Sequence, residues 1–166
     1  MRKYRNTGVI NLKLYFAEQG DSSIILQLII ELAQYEKMEN EVTATVDDIK
    51  NVLFNQKVGK TLLAEYNHEV VGFALYFYSI STFKGKAGIY LEDFYVKPEY
   101  RGKGIGTALI TSLGKIAKEE SCGRVEWSCL DWNTPSIGYY KKLGGEIIQE
   151  WSRFRVDEAD YDDFIS

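Results

Sequence analysis

From Val9 to Ala17 apolar and polar positions alternate, with Ile10, Leu12, Leu14 and Phe16 on one side, and this two-residue period predicts a strand. Asp21 or Ser22 can cap a helix running to about Tyr35, where Ile25, Leu28, Ile29 and Leu32 recur at helical spacing. Thr45-Val46-Asp47-Asp48 has the form of a capping box and predicts a second helix to about Asn55. Thr61 to Tyr66 and Val70 to Ser79 read as strands joined by the turn Asn67-His68-Glu69. Ile80 to Lys86 reads as a loop and Ala87 to Val96 as a long strand ended by Lys97-Pro98. A helix from Gly104 to Glu120, a strand from Arg124 to Leu130, a helix from Thr134 to Leu143 opened by Pro135, and a terminal strand or hairpin arm from Glu146 to Val156 follow. Residues 1–8 read as a loose leader. Strands come first as a meander and then alternate with helices, which predicts a mixed α/β sheet in a single domain spanning residues 1–166.

Composition narrows the picture. The chain has 166 residues, 45% of them hydrophobic, enough for one sizeable core. No apolar run approaches the roughly 18 residues that a membrane helix needs, and the basic start Met1-Arg2-Lys3-Tyr4-Arg5 leads into no signal-peptide core. The expected location is the cytoplasm. A net charge of −4 without a basic stripe argues against a nucleic-acid partner and suits a cationic one. Cys122 and Cys129 have no metal-like spacing and are expected to be buried free thiols, and no metal site is expected. His68, the one histidine, belongs at the tip of a hairpin, exposed and outside any catalytic role.

The most specific chemistry lies in Tyr100-Arg101-Gly102-Lys103-Gly104-Ile105-Gly106-Thr107, between a predicted strand and a predicted helix. Three alternating glycines let backbone approach a ligand with no Cβ in the way. The helix start contributes N–H groups without intrahelical acceptors and the positive end of its dipole. Together they form a pyrophosphate cradle. A Walker loop is excluded because Lys103 is followed by Gly104, and a dinucleotide fingerprint because the spacing is G-x-G-x-G. Upstream, Glu92 and Asp93 are adjacent carboxylates in an otherwise apolar strand. Neighbours on a strand point to opposite faces, so one of them should face inward unless a bulge intervenes.

Arg-Gly-x-Gly-x-Gly after a strand ending in Val-x-Pro resembles the acetyl-CoA loop of the GNAT acetyltransferase superfamily. Tyr90-Leu91-Glu92-Asp93-Phe94-Tyr95-Val96 followed by Tyr100-Arg101-Gly102, and Asp131-Trp132-Asn133-Thr134-Pro135-Ser136-Ile137-Gly138-Tyr139-Tyr140-Lys141-Lys142-Leu143-Gly144, resemble its diamine (spermidine/spermine) and thialysine N-acetyltransferase branch. So do the segment from Glu31 to Glu39 and the run Val71-Gly72-Phe73-Ala74-Leu75-Tyr76-Phe77. Leu130-Asp131-Trp132-Asn133 looks more like the thialysine members than the polyamine ones.

The resemblance implies a GNAT fold: a mostly antiparallel sheet with a splayed strand pair, flanked by helices. It implies acetyl-CoA as donor, a small cationic amine as acceptor and a homodimer whose terminal strands meet across subunits. On that likeness Phe94, Tyr95 and Val96 hold the pantetheine through their backbone. Arg101, Gly102, Lys103, Gly104, Ile105, Gly106 and Thr107 hold the pyrophosphate, and Asn133, Thr134, Pro135 and Ser136 face the cofactor.

An alkylammonium has a pKa of about 10.4, so freeing its lone pair at neutral pH costs roughly 4–5 kcal/mol. The departing sulfur also needs a proton. The resemblance makes Glu92 the base, directly or through a water, and Tyr140 the acid. Tyr35, Glu36, Glu92, Glu126, Trp127, Ser128 and Glu150 are then the expected acceptor contacts. Alternatives remain at this point. Glu92 could only bind the ammonium, Glu36 and Glu126 could be solvated, and the acceptor could be a protein amino group or an antibiotic amine. A regulatory module that binds CoA without turnover is the reading from a different class.

Overall fold

In the computed structural model, which describes residues 4, 5 and 7–166, Tyr4–Arg5 (β1), Leu12–Phe16 (β2), Lys60–Tyr66 (β3), Glu69–Ser81 (β4), Lys86–Val96 (β5) and Val125–Trp127 (β6) lie side by side in that order as one sheet. Each strand from β1 to β5 runs antiparallel to the next, and β6 joins β5 in parallel. Consecutive strands of the meander are neighbours because short turns link them. Asn67 and His68 both take positive φ, the backbone of a two-residue hairpin turn, and His68 is exposed there.

The helices cover the two faces. Ser22–Glu36 (α1) and Val46–Lys50 (α2) bring Ile25, Leu28 and Ile49 against Tyr15, Leu63 and Phe73. Ile105–Glu119 (α3) brings Ile105, Leu109, Leu113 and Ile116, three and four residues apart, against Leu14, Leu62, Tyr76 and Leu91. Thr45 and Asp48 form the expected reciprocal cap: the Thr45 hydroxyl accepts from Asp48 N, and the Asp48 carboxylate accepts from Thr45 N at 2.8 Å.

The chain divides into two compact units, residues 1–128 and 129–166. The first holds the sheet with α1 to α3. The second holds Thr134–Lys142 (α4) and the short Tyr161–Ile165 (α5). Among the described residues no helix is long and apolar enough to cross a membrane.

Several expectations are corrected. The leader is not wholly loose: Tyr4 and Arg5 pair with Tyr15 and Leu14, and Arg5 bonds the Glu119 carboxylate at 3.0 Å. The rest of that leader includes residues 1–3 and 6, which lie outside the described residues. The second helix is regular only to Lys50 and widens into a π turn over Asn51–Asn55. The expected Arg124–Leu130 strand is only Val125–Trp127, since its pairing with β5 stops at Leu91. Glu146 to Val156 forms no strand. Alternation cannot make a strand without a ladder partner, and none pairs with it among the described residues. Trp151 and Phe154 stand 78% and 91% exposed. Cys122 and Cys129 are not joined in a disulfide, and both are half-buried rather than buried.

Candidate active site

The glycine run joins β5 to α3. Gly102 and Gly104 have φ of +76° and +79°, left-handed values that side chains with a Cβ rarely adopt. Gly104 is the N-cap of α3, and its carbonyl already accepts from Ala108 N at 2.9 Å. A Cβ on Gly102 would meet nothing within 4 Å, so the space above the turn is open.

The loop is tied down from both sides. The Tyr100 hydroxyl donates to Glu69 at 2.7 Å and Lys97 Nζ donates to the other oxygen of the same carboxylate at 3.0 Å, which fixes the loop to the β3–β4 hairpin. These two bonds hold the Glu69 carboxyl below its usual range. Arg101 folds back so that Nε donates to the Val96 carbonyl at 2.9 Å, with the guanidinium 4.7 Å from the Tyr35 ring and 5.7 Å from the Tyr95 ring.

Gly104→Ala should lower stability by about 1–2 kcal/mol, because the new residue must hold a left-handed backbone. Gly114→Ala, at an exposed site with nothing near the new Cβ in the same helix, should instead raise stability by about 0.5–1 kcal/mol. Urea midpoints of the two variants check the opposite signs.

β5 carries a bulge. Leu91 sits opposite Tyr76 and Asp93 opposite Leu75, so Glu92 is an extra residue. The packing reads the same way. Ile89 and Leu91 face the α3 side, as do Phe94 and Val96, whereas Tyr95 faces α1. Alternation resumes only if Glu92 and Asp93 both lie on the α1 side. The expectation of opposite faces is therefore corrected by the very feature that could overturn it.

On the α1 side Asp93 feels both Glu92 and Glu36, the latter at the C-terminal end of α1. Burial pushes the Asp93 carboxyl up to about 7, with further upward pushes from Glu92 and then Glu36. Burial also raises Glu36. Glu92 itself is exposed.

The other expected acceptor residues divide. Ser128 Oγ lies 2.7 Å from the Tyr90 hydroxyl, on the Glu92 side of the strand. Glu126, opposite Tyr90, is engaged by Arg124 Nε at 2.6 Å, and Trp127 packs toward α3. Tyr35 stacks on Arg101.

In the second unit Asn133 is buried and caps α4, its side-chain oxygen accepting from Ser136 N at 3.3 Å. Thr134 and Pro135 open the helix. Tyr140 and Tyr139 are half-buried with ring centroids 5.6 Å apart. Gly145 N closes the helix end onto the Tyr140 carbonyl at 2.9 Å. Glu150 is exposed in irregular backbone.

Residues 26–145 match the Acetyltransferase (GNAT) family. The chain belongs to that family. It is 39% identical over 153 residues to a thialysine N-epsilon-acetyltransferase of Bos taurus, covering 85% of this chain and 89% of that protein. It is 34% identical over 167 residues to the spermidine/spermine N(1)-acetyltransferase-like protein 1 of Homo sapiens, covering 94% of this chain and 24% of that longer one. Among solved structures, an integron cassette protein from the mobile metagenome of V. cholerae superposes with a TM-score of 0.78 at 25% identity, over 94% of this chain and 98% of that one.

The GNAT family uses acetyl-CoA as co-substrate. Left-handed Gly102 and Gly104, open space over Gly102, the start of α3 and the cation Lys103 combine to suit a pyrophosphate. The β5–β6 pairing ends at Leu91, where β6 itself ends at Trp127, while β5 continues to Val96. Sequence reasoning gave Asp93 no role, although the structure makes it the most perturbed carboxyl of the site. The available signal was a phase break: apolar residues at 89 and 91 are followed by apolar residues at 94 and 96.

Proposed function

We propose that the protein transfers the acetyl group of acetyl-CoA to a primary amine of a small diamine, polyamine or lysine-like (thialysine) substrate, with residues 1–166 working as one catalytic domain. The observation that carries this reading is the bulge at Glu92, which aligns Glu92 and Asp93 on the side where Glu36 ends α1. Burial and then the charges of Glu92 and Glu36 disfavour an ionised Asp93, and an ammonium beside it relieves that cost, which favours a cationic acceptor. The names of the bovine and human relatives support small amines as the substrate class. Of these, thialysine stands with the relative that is similar over most of both chains.

Acetyl-CoA supplies the activated acetyl thioester. By family resemblance the backbone of Phe94, Tyr95 and Val96 would hold its pantetheine arm, residues Gly102 to Thr107 would hold its pyrophosphate, and Asn133 and Ser136 would be further cofactor contacts. Glu92, exposed at the bulge, takes a proton from the ammonium nitrogen directly or through a water. Asp93 and Glu36 keep the cationic part of the acceptor in place. The Tyr140 hydroxyl provides the proton that the leaving sulfur needs. The protein acts as a cytoplasmic homodimer, and the exposed Trp151 and Phe154 support a subunit contact through the terminal segment.

Release of CoA thiol, followed against putrescine, spermidine, spermine, thialysine, lysine, a Lys peptide and an aminoglycoside, tests the proposal. Saturable release with a small amine is the expected result. Release with the peptide or aminoglycoside alone would replace the acceptor class. Binding of acetyl-CoA with no release to any acceptor would leave a CoA-binding module without turnover.

A further inference from the structure

The glycine loop and the carboxyl cluster of Glu36, Glu92 and Asp93 are expected to handle different substrates, yet one side chain joins them. Arg101 opens the loop, but its guanidinium lies between two rings, 4.7 Å from Tyr35 and 5.7 Å from Tyr95. Both distances fall within the roughly 6 Å reach of a cation–π contact. The Nε bond to the Val96 carbonyl at 2.9 Å fixes the plane of the fork at the end of β5. Tyr35 stands in the last turn of α1, and the residue after it is Glu36. That helix end is itself closed: Lys37 takes φ of 62°, and Lys37 N and Met38 N donate back to Gln34 and Ala33. Tyr35 and Glu36 are consecutive residues of this closed helix end, and the Glu36 carboxyl lies close enough to Asp93 to raise it.

We infer that the Tyr35–Arg101–Tyr95 stack is a latch that couples the donor loop to the acceptor pocket, and that Tyr35 is a positioning residue for donor binding. Filling the loop with pyrophosphate fixes Arg101, and the stacked ring then orders the end of α1 and sets Glu36. Acceptor affinity consequently rises when the donor site is occupied, and by linkage donor affinity rises with acceptor bound. The inference rests on the proposed donor site at the glycine loop.

Backbone hydrogen exchange with CoA as the probe tests it without any acceptor or turnover. In the wild-type protein, saturating CoA should slow exchange at residues 101–107 and also at 34–38, at the end of α1. Tyr35→Phe keeps the ring and should retain both effects. Tyr35→Leu should retain slowing at the loop but lose it at 34–38, with CoA bound about fivefold more weakly for the lost ring contact. Arg101→Lys, which keeps the charge but loses the planar fork, should behave like Tyr35→Leu and serves if that variant does not fold. Wild-type protein that binds CoA with no change at 34–38 overturns the latch while leaving the donor site intact. So does undiminished protection there in both variants. Failure of the wild-type protein to bind CoA would overturn the donor reading and the latch with it.

Discussion

Tyr140→Phe is expected to lower kcat by about 10²–10⁴, the usual span for losing a positioned proton donor. The substitution removes one oxygen and little else. The ring contact with Tyr139, at 5.6 Å between centroids, survives in phenylalanine. The Tyr140 carbonyl accepts from Leu143 N and Gly145 N to close α4, and that is backbone chemistry which the side chain does not alter. The cap at the other end of the helix, Asn133 to Ser136 N, is equally untouched. Turnover should therefore fall by far more than stability does. Rates at saturating acetyl-CoA and saturating amine decide it: a kcat equal to wild type removes Tyr140 from the mechanism, and a fall in proportion to stability makes its role structural.

The glycine loop was legible in the sequence because its signals are local. Positive φ at Gly102 and Gly104, a helix N-cap and a strand just before it all belong to adjacent residues. The Thr45–Asp48 cap and the Asn67–His68 turn were legible for the same reason. What alternation could not decide was register between strands. The bulge at Glu92 is defined only by Tyr76 and Leu75 across the ladder, so the common side of Glu92 and Asp93 is a property of β4 and β5 together. The extent of β6 was misread for a related reason, since its apolar pattern continues past the point where β5 stops pairing with it. Glu146 to Val156 carries the pattern of a strand, but a strand is real only where another backbone supplies its hydrogen bonds. α5 is five residues long, and its one cue is Asp162 and Asp163 in the first turn. Glu126 is among the acceptor contacts that the resemblance implies, but a neighbour two positions away, Arg124, takes its carboxylate. Composition carries no information about which partner a carboxylate chooses.

Asp93→Asn and Glu92→Gln should separate two jobs that adjacent carboxylates are expected to share. Glu92→Gln removes the base and should lower kcat by about 10²–10³ with a modest change in KM. Asp93→Asn removes the half-buried carboxyl and should raise the KM of a cationic amine about tenfold or more, the loss of one charge-assisted contact.

The pH dependence gives each sign independently. The Asp93 carboxyl titrates at about 7 in the folded chain against an ordinary 3.8, because burial and then Glu92 and Glu36 disfavour its charge. Between those values the folded chain holds a proton that the unfolded chain has released. Its contribution to stability is therefore complete below about pH 4 and is lost as the pH rises through about 7. Asp93→Asn carries no such proton, so it should melt higher than wild type at pH 8, by roughly 2–4 kcal/mol of stability, with the advantage vanishing near pH 4.

The same cost is what a cationic acceptor relieves. An ammonium beside Asp93 favours the ionised form, so binding below pH 7 should release a proton. The affinity of wild-type protein for a diamine should rise between pH 6 and 8, while that of Asp93→Asn should stay nearly flat. Calorimetric titrations in two buffers of different ionisation enthalpy measure the released proton directly. Equal proton release by wild type and Asp93→Asn would assign the linkage to Glu36 or to the amine and remove Asp93 from acceptor binding.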